Sequence, residues 1–423
     1  MSRNATALWI PICIASLAAA WACGSEGRDG DGDDDGSGDG DADTDTWDDW
    51  TGDVGNLVGT VMAPSGLFPV AGALVYLSTT VPAAFPDSVF CESCEDMTAK
   101  WWTLTNPDGT FQLANIPAVS GTFNIVVQKG LFRRIAPIDI QGGMNDIPLA
   151  VTTLPGDNSA DGMASIPRFA VLLNSFDLAE DMLAKLGLAD LGGDGHFVSG
   201  TERFDCYDDG NAMGYPASSQ VFADQSTLTG YHMVFFPCIC NTLGTEFVQS
   251  HTDVLRNWVA AGGKLYASCW ASQWAEFPFP EYIEFAGDDA SHVVGSVGLY
   301  DTNGKIEDPT MRAWLQVVAP SENLDAFPFH GAWVQMNNTN VVSDGHGLEE
   351  NGGTVTPVTW ATDVQQYSGS PLTVTYDWDC GRVFFSSFQV VESGASTAIR
   401  PQEYVLLYLM MEVGVCSGSY PIE

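Results

Sequence analysis

Apolar residues fall in short runs divided by Gly, Pro and acidic stretches, and the rhythm of those runs changes near residue 168. Before it, Leu57–Val61, Ala73–Leu77, Trp101–Thr105, Phe111–Leu113 and Phe123–Gln128 are brief and β-rich. Asn106-Pro107-Asp108-Gly109 supplies a turn between two of them. Short strands at such intervals predict an all-β sandwich over 54–154. A polar linker follows at 155–167. Arg168–Leu173 is then a continuous apolar strand, and Asp177–Leu186 is a helix with Leu178, Met182, Leu183 and Leu186 on one face, capped by Asp177 and stopped by Gly187. Met233–Phe236, ended by Pro237, is a buried strand. Phe247, His251, Val254, Leu255, Trp258 and Val259 recur at spacings of three and four, which predicts a helix over 246–261. Gly262 and Gly263 stop it, and Lys264–Ser268 is the next strand.

The resulting β-α-β unit puts Cys269 at the C-terminal end of a strand, where open α/β sheets bind ligands. Beyond Trp274 the pattern is irregular to about Gly369, with one helix expected over 308–318. Leu372–Tyr376 and Arg382–Ser387 predict a hairpin around Asp377–Gly381. Pro401 opens a final helix, apolar on nearly every side over Val405–Met411 and hence buried. Alternating strands and helices with an antiparallel addition predict a three-layer α/β domain over 168–423.

The charge changes the picture at the N-terminal end. The chain of 423 residues carries 54 acidic against 15 basic side chains, a net charge of −39. Such a surface repels nucleic acid. Residues 24–53 hold twelve Asp and one Glu against the single Arg28. Little there can bury apolar area, so an extended disordered linker is expected. Asp31–Gly36 matches the start of a calcium loop, but Ala42 stands where the bidentate Glu belongs. No ordered metal site is expected there or at the acidic neighbours of His292 and His346, and no cofactor is implied.

Residues 1–23 have Arg3, an apolar stretch over Ala7–Ala20 too short to span a bilayer, and Ala20 and Ala22 before Cys23. The segment resembles the lipobox of bacterial lipoproteins. That resemblance implies export, lipidation at Cys23 and anchoring to the cell envelope, at the outer membrane or cell surface. An ordinary secretion signal containing Cys23 is the alternative.

Eight cysteines remain after Cys13 and Cys23, and disulfides are the default in an exported chain. Cys91 and Cys94 are expected to close their own insertion. Cys238 and Cys269 end neighbouring strands, whose spacing of roughly 5 Å suits a disulfide. Cys380–Cys416 and Cys206–Cys240 are the remaining expected pairs. Trp270, Trp274 and Phe277 follow the strand end and are candidates for stacking on a sugar, with core packing as the alternative.

Two further resemblances rest on longer motifs. Gly59–Val61, Pro69–Val75, Thr105–Phe111 and Ile116–Ala118 together resemble the carboxypeptidase regulatory-like, transthyretin-like sandwich. That module is accessory, is grouped with carbohydrate-binding-like folds and brings no catalytic residues. The strand before helix 246–261, Gly262–Tyr266 and Gly381–Phe388 resemble the flavodoxin-like, class I glutamine amidotransferase-like fold, in its trehalose-utilisation-like branch. There Cys269 would be the nucleophile on a sharp elbow. Ser268 and Trp270 stand where small neighbours are wanted, and Gln389 stands near where a base is wanted.

These features lead to one expectation: an envelope-anchored lipoprotein with a degenerate amidotransferase-like domain, binding carbohydrate or another extracellular ligand without catalysis. A hydrolase or amidase using Cys269 is the first alternative. A purely structural envelope protein is the second.

Overall fold

A computed structural model describes residues 47, 49–91, 99–209, 214–238, 243–287, 294–347, 352–390 and 396–414. The signal segment, Cys23 and the linker to Thr46 lie outside the described residues, as do Cys94, Cys240, Asp288, Asp289, His292 and Cys416.

The first part is β-rich. Its strands are β1 (Val54–Thr60), β2 (Leu74–Ser78), β3 (Trp102–Leu104), β4 (Thr110–Pro117), β5 (Phe123–Lys129), β6 (Phe132–Ile138), β7 (Gly143–Asp146) and, after the single-turn helix α1 (Leu149–Thr152), β8 (Ala164–Ser165). They form two sheets, ordered β4-β1-β7 and β3-β2-β5-β6-β8. Leu57, Val75, Phe111, Leu113, Ile125 and Val127 alternate inward and share one core, as the period of two along a strand requires. Two expectations are corrected here. Strand β8 pairs with β6 inside the stretch expected to be a linker. Trp47, in the expected disordered segment, packs on Phe123 and Trp101 at ring-centroid distances of 5.2 and 6.4 Å.

The second part is α/β. Its first strands are β9 (Phe169–Leu172), β10 (Asp205–Tyr207), β11 (Met233–Phe236) and β12 (Lys264–Ser268). Two short strands, β13 (Ile283–Phe285) and the later β16 (Met336–Thr339), pair with each other, and β17 (Val342–Ser343) pairs with β18 (Thr354–Val355). The remaining strands are β14 (Ser296–Ile306), β15 (Phe327–Val334), β19 (Val358–Asp363), β20 (Pro371–Trp378) and β21 (Gly381–Ser386). A single nine-stranded sheet runs β10-β9-β11-β12-β21-β20-β19-β14-β15. Its first five strands are parallel, in the chain order second, first, third, fourth, fifth, and the last four are antiparallel additions. The region expected to be irregular after Trp274 therefore supplies β14, β15 and β19.

Helices cover both faces. Phe169, Val171, Phe235, Tyr266 and Phe384 face α2 (Ala179–Leu186), α7 (Pro309–Val318) and α8 (Pro401–Val413). Val234, Phe236, Leu265, Ala267 and Phe385 face α3 (Gln225–Thr229), α5 (Thr252–Ala260) and α6 (Gln273–Glu276). The helix expected over 246–261 is broken at His251 into α4 (Thr245–Ser250) and α5. His251 stacks on Phe247 at 4.0 Å, a packed histidine. Helix α8 is buried almost all round because the β-rich part lies over it. Phe68 meets Trp314 and Tyr404 edge-on at 5.9 and 6.1 Å.

The disulfides depart from the expected set. Cys91 is joined to Cys380 rather than Cys94, which also removes Cys380 from Cys416. The reason is local. Cys91 lies against the C-terminal end of α5 at Gly262, and the β20–β21 turn meets the same helix end through a Cys380 N–H bond to the Ala260 carbonyl. The two Cα atoms stand 5.1 Å apart. Cys206 carries a free thiol rather than a bond to Cys240, because on β10 its side chain enters the core beside Phe197 and Phe204. Burial pushes that thiol far above its ordinary range.

Candidate functional site

The C-terminal ends of β9, β11 and β12 converge on Asp177. This residue was expected to cap α2, but Leu178 holds the cap position, without a side-chain bond. The Asp177 carboxylate is fully buried and accepts three hydrogen bonds. Ser268 Oγ donates at 2.6 Å and the Cys238 N–H at 3.1 Å to Oδ2, and the Val390 N–H donates at 2.6 Å to Oδ1. It thereby ties the ends of three strands to the segment after β21. Charge-assisted bonds of this kind justify a buried carboxylate.

Beside it, Cys238 and Cys269 form the expected disulfide, with Cα atoms 4.9 Å apart. Cys269 has φ +52°, a left-handed conformation that non-glycine residues seldom adopt. The chain passes from β12 through this residue into a single 3-10 turn, Cys269–Ala271, and then α6. The sharp strand-to-helix turn therefore forms without flanking glycines, contrary to the crowding expected from Ser268 and Trp270. The Trp270 N–H points at Cys238 Sγ, 3.4 Å away.

With both sulfurs joined, neither Cys238 nor Cys269 offers a thiolate. Four of the described histidines are engaged elsewhere: His196 with Asp181, His232 with Arg168 and Pro86, His251 with Phe247, and His346 with Asp379. His330, on β15 with Trp333, has its Nδ1 buried without a hydrogen-bond partner, 3.5 Å from Asp301. Gln389 pairs its backbone with Gly331. Among the described residues no cluster of His, Cys, Asp or Glu is arranged to hold a metal ion.

The aromatic candidates divide. Trp274 is core, stacked between Phe236 at 4.2 Å and Phe222 at 5.3 Å, and offers no face to a ligand. Phe277 is half-buried against the same core. Trp270 is half-buried too, and it meets Trp333 of β15 at 4.7 Å and 61°. Its indole Nε1 is buried without a partner, as are Ser387 Oγ and Asn174 Nδ2. Ser387, Asn174, Trp333 and Asp177 are the members of this edge that sequence reasoning missed. Glu180, in the first turn of α2, is a further one. Burial raises its pKa well above the ordinary 4.5, and Asp181, Asp177 and Asp208 add to the effect, so the fold favours its neutral form.

No family model matches the chain, and no curated protein matches it. Solved structures that it resembles are distant. A cytoplasmic protein, STM1381, from Salmonella typhimurium LT2 is 12% identical, with 58% of this chain and 97% of that one covered at a TM-score of 0.32. A second Salmonella typhimurium cytoplasmic protein, STM3548, gives 11%, 59%, 99% and 0.33. A β-galactosidase from Bacillus circulans sp. alkalophilus gives 9%, 58%, 31% and 0.29. Likeness at that level carries no information about activity.

Two disulfides belong to a non-reducing compartment. Among the described residues no helix is long and apolar enough to cross a membrane.

Proposed function

We propose that this chain is an envelope-anchored bacterial lipoprotein that binds an extracellular ligand, carbohydrate in our reading, without catalysing a reaction on it. Its β-rich part is read as a carboxypeptidase regulatory-like sandwich. Its α/β part is read as a flavodoxin-like, class I glutamine amidotransferase-like domain that has lost its chemistry. The parallel order second, first, third, fourth, fifth supports that fold reading. The single observation carrying the function is the Cys238–Cys269 disulfide, which occupies the sulfur an amidotransferase-like nucleophile would need. Trp270 and Trp333, with unspent donors beside them, support a ligand that offers both an apolar face and hydroxyl acceptors.

The test pairs chemistry with binding. Iodoacetamide should leave Cys269 unlabelled in the native, unreduced protein, and a non-reducing peptide map should recover the Cys238–Cys269 crosslink. On a glycan array the protein should retain a defined set of sugars, and Trp333→Ala should lose them while keeping its melting temperature. The positive φ at Cys269 favours one other reading, a hydrolase or amidase that uses Cys269 as a free nucleophile. Rapid labelling of Cys269 without reductant, with a thiol pKa well below about 8.5, would decide for that enzyme. A blank array together with a closed disulfide would leave the structural envelope protein.

A further inference from the structure

A second cleft, of about 230 Å³, opens at the N-terminal ends of the parallel strands, between the β-rich and α/β parts. It is remote from the Cys269 edge and independent of the function proposed for it. Arg133 of β6 lies in its floor, 5% exposed, with Nη2 donating to the Ala83 carbonyl at 2.6 Å and the guanidinium 4.1 Å over the Phe85 ring. Arg168 stands at the rim, 47% exposed, with its nearest carboxylate, Asp205, at 3.5 Å and outside the cleft lining. His232 adds no charge. Its Nδ1 accepts the Arg168 N–H at 2.9 Å, its Nε2 lies 3.1 Å from the Pro86 carbonyl, and burial lowers its pKa. Ser165 Oγ is buried without a partner. Asn158 uses its carbonyl on the Ile166 N–H at 2.9 Å, which leaves its amide NH₂ for a ligand.

The guanidinium groups select the ligand. Arg133 and Arg168 both line the cleft, with Asp87 in the same lining and Asp205 standing 3.5 Å from Arg168 behind the rim. A polyanion is repelled by the whole surface. A monoanion reaching the arginines is governed by charges within a Debye length, about 8 Å in physiological salt. The guanidinium fork suits a carboxylate. Phe85, Leu131 and Ile166 give the cavity an apolar wall, while Ser165, Asn158 and Asp87 offer hydrogen bonds. Its volume is below the roughly 300–1,000 Å³ of sites for drug-sized molecules. We propose that this seam cleft binds one carboxylate-bearing sugar ring, a uronic acid residue.

Titration calorimetry of the full chain with galacturonate, and with galactose as the neutral counterpart, tests it. Galacturonate should bind saturably and weaken as salt is added, and galactose should not bind. Arg168→Gln, at a half-exposed position, should fold normally and lose about tenfold or more in affinity, the worth of a charge-assisted bond. Arg133→Lys keeps the charge but loses the fork, and it should also weaken binding. Trp333→Ala should leave galacturonate binding unchanged, which separates this cleft from the Cys269 edge. No saturable heat at millimolar galacturonate, equal binding of galactose, or unaltered affinity in Arg168→Gln would overturn the proposal.

Discussion

At the residue scale, Glu180 is the most informative group the site leaves unused. Burial favours the protonated carboxyl in the folded protein and raises its pKa well above 4.5, whereas in the unfolded chain it ionises near that ordinary value. A raised folded pKa gives stability that is fully present below 4.5 and is lost as pH climbs through the folded value. Glu180→Gln mimics the neutral acid and cannot ionise. The variant should therefore match the wild type at about pH 4 and exceed it in stability at pH 7 to 8, with the gap widening over that interval. Urea unfolding at several pH values measures the gap. A gap that does not change with pH would mean Glu180 is ionised in the fold. Asp177, one turn earlier, is buried with donors on both carboxyl oxygens, from Ser268, Cys238 and Val390.

At the element scale, α2 and α8 are joined by an ion pair that excludes water. Lys185 Nζ lies 2.6 and 2.9 Å from the two Glu403 oxygens, and both side chains are 0% exposed. Glu403 also accepts the Arg400 N–H at 2.7 Å, which closes the start of α8. Lys185→Met alone leaves a buried carboxylate unpaired, and should cost about 3–5 kcal/mol. Adding Glu403→Gln keeps an acceptor for the helix start and removes the stranded charge, so the double variant should recover most of that loss. Denaturant unfolding of the four proteins in the cycle measures it, and a single variant costing under about 1 kcal/mol would mean that water reaches the pair. Much at this scale could be read from residues alone. Pro237 and Gly262 bound the β-α-β unit, and Pro401 with an all-round apolar run marked α8. Strands β14, β15 and β19 were invisible because their burial alternates irregularly across register shifts and partly faces solvent. In the site, Cys238–Cys269 was legible because the two cysteines end neighbouring strands. Asp177 was not, since its partners Ser268 and Val390 are distant in the chain and its position before α2 has the form of a cap. Trp333 was hidden for the same reason: nothing local links it to Trp270.

At the scale of the whole molecule, the two parts are fastened too tightly to unfold separately. One of the two buried clusters runs through both parts, from Leu57 to Val413. The Trp314 indole donates to the Pro69 carbonyl at 2.8 Å, and Ser65 N–H to the Leu186 carbonyl at 2.8 Å. Lys129 of β5 meets Glu412 of α8 at 2.7 Å, where burial pushes the Glu412 carboxyl up and the charge and hydrogen bond of Lys129, together with the Arg382 charge, more than offset it. Gly130 approaches Gly414 so closely that a side chain could not be accommodated. Over these contacts the Cys91–Cys380 disulfide links positions 289 residues apart. A loop of that length loses much unfolded-state entropy when closed, so the bond should contribute about 2–5 kcal/mol. Calorimetry of the oxidised protein should accordingly give one cooperative transition. The Cys91→Ser, Cys380→Ser double variant should melt lower and still as one, because the shared core remains when the crosslink is gone. Two resolved transitions in the oxidised protein would show that the β-rich part is an independent domain. Two in the variant alone would show that the disulfide, rather than the core, couples the halves.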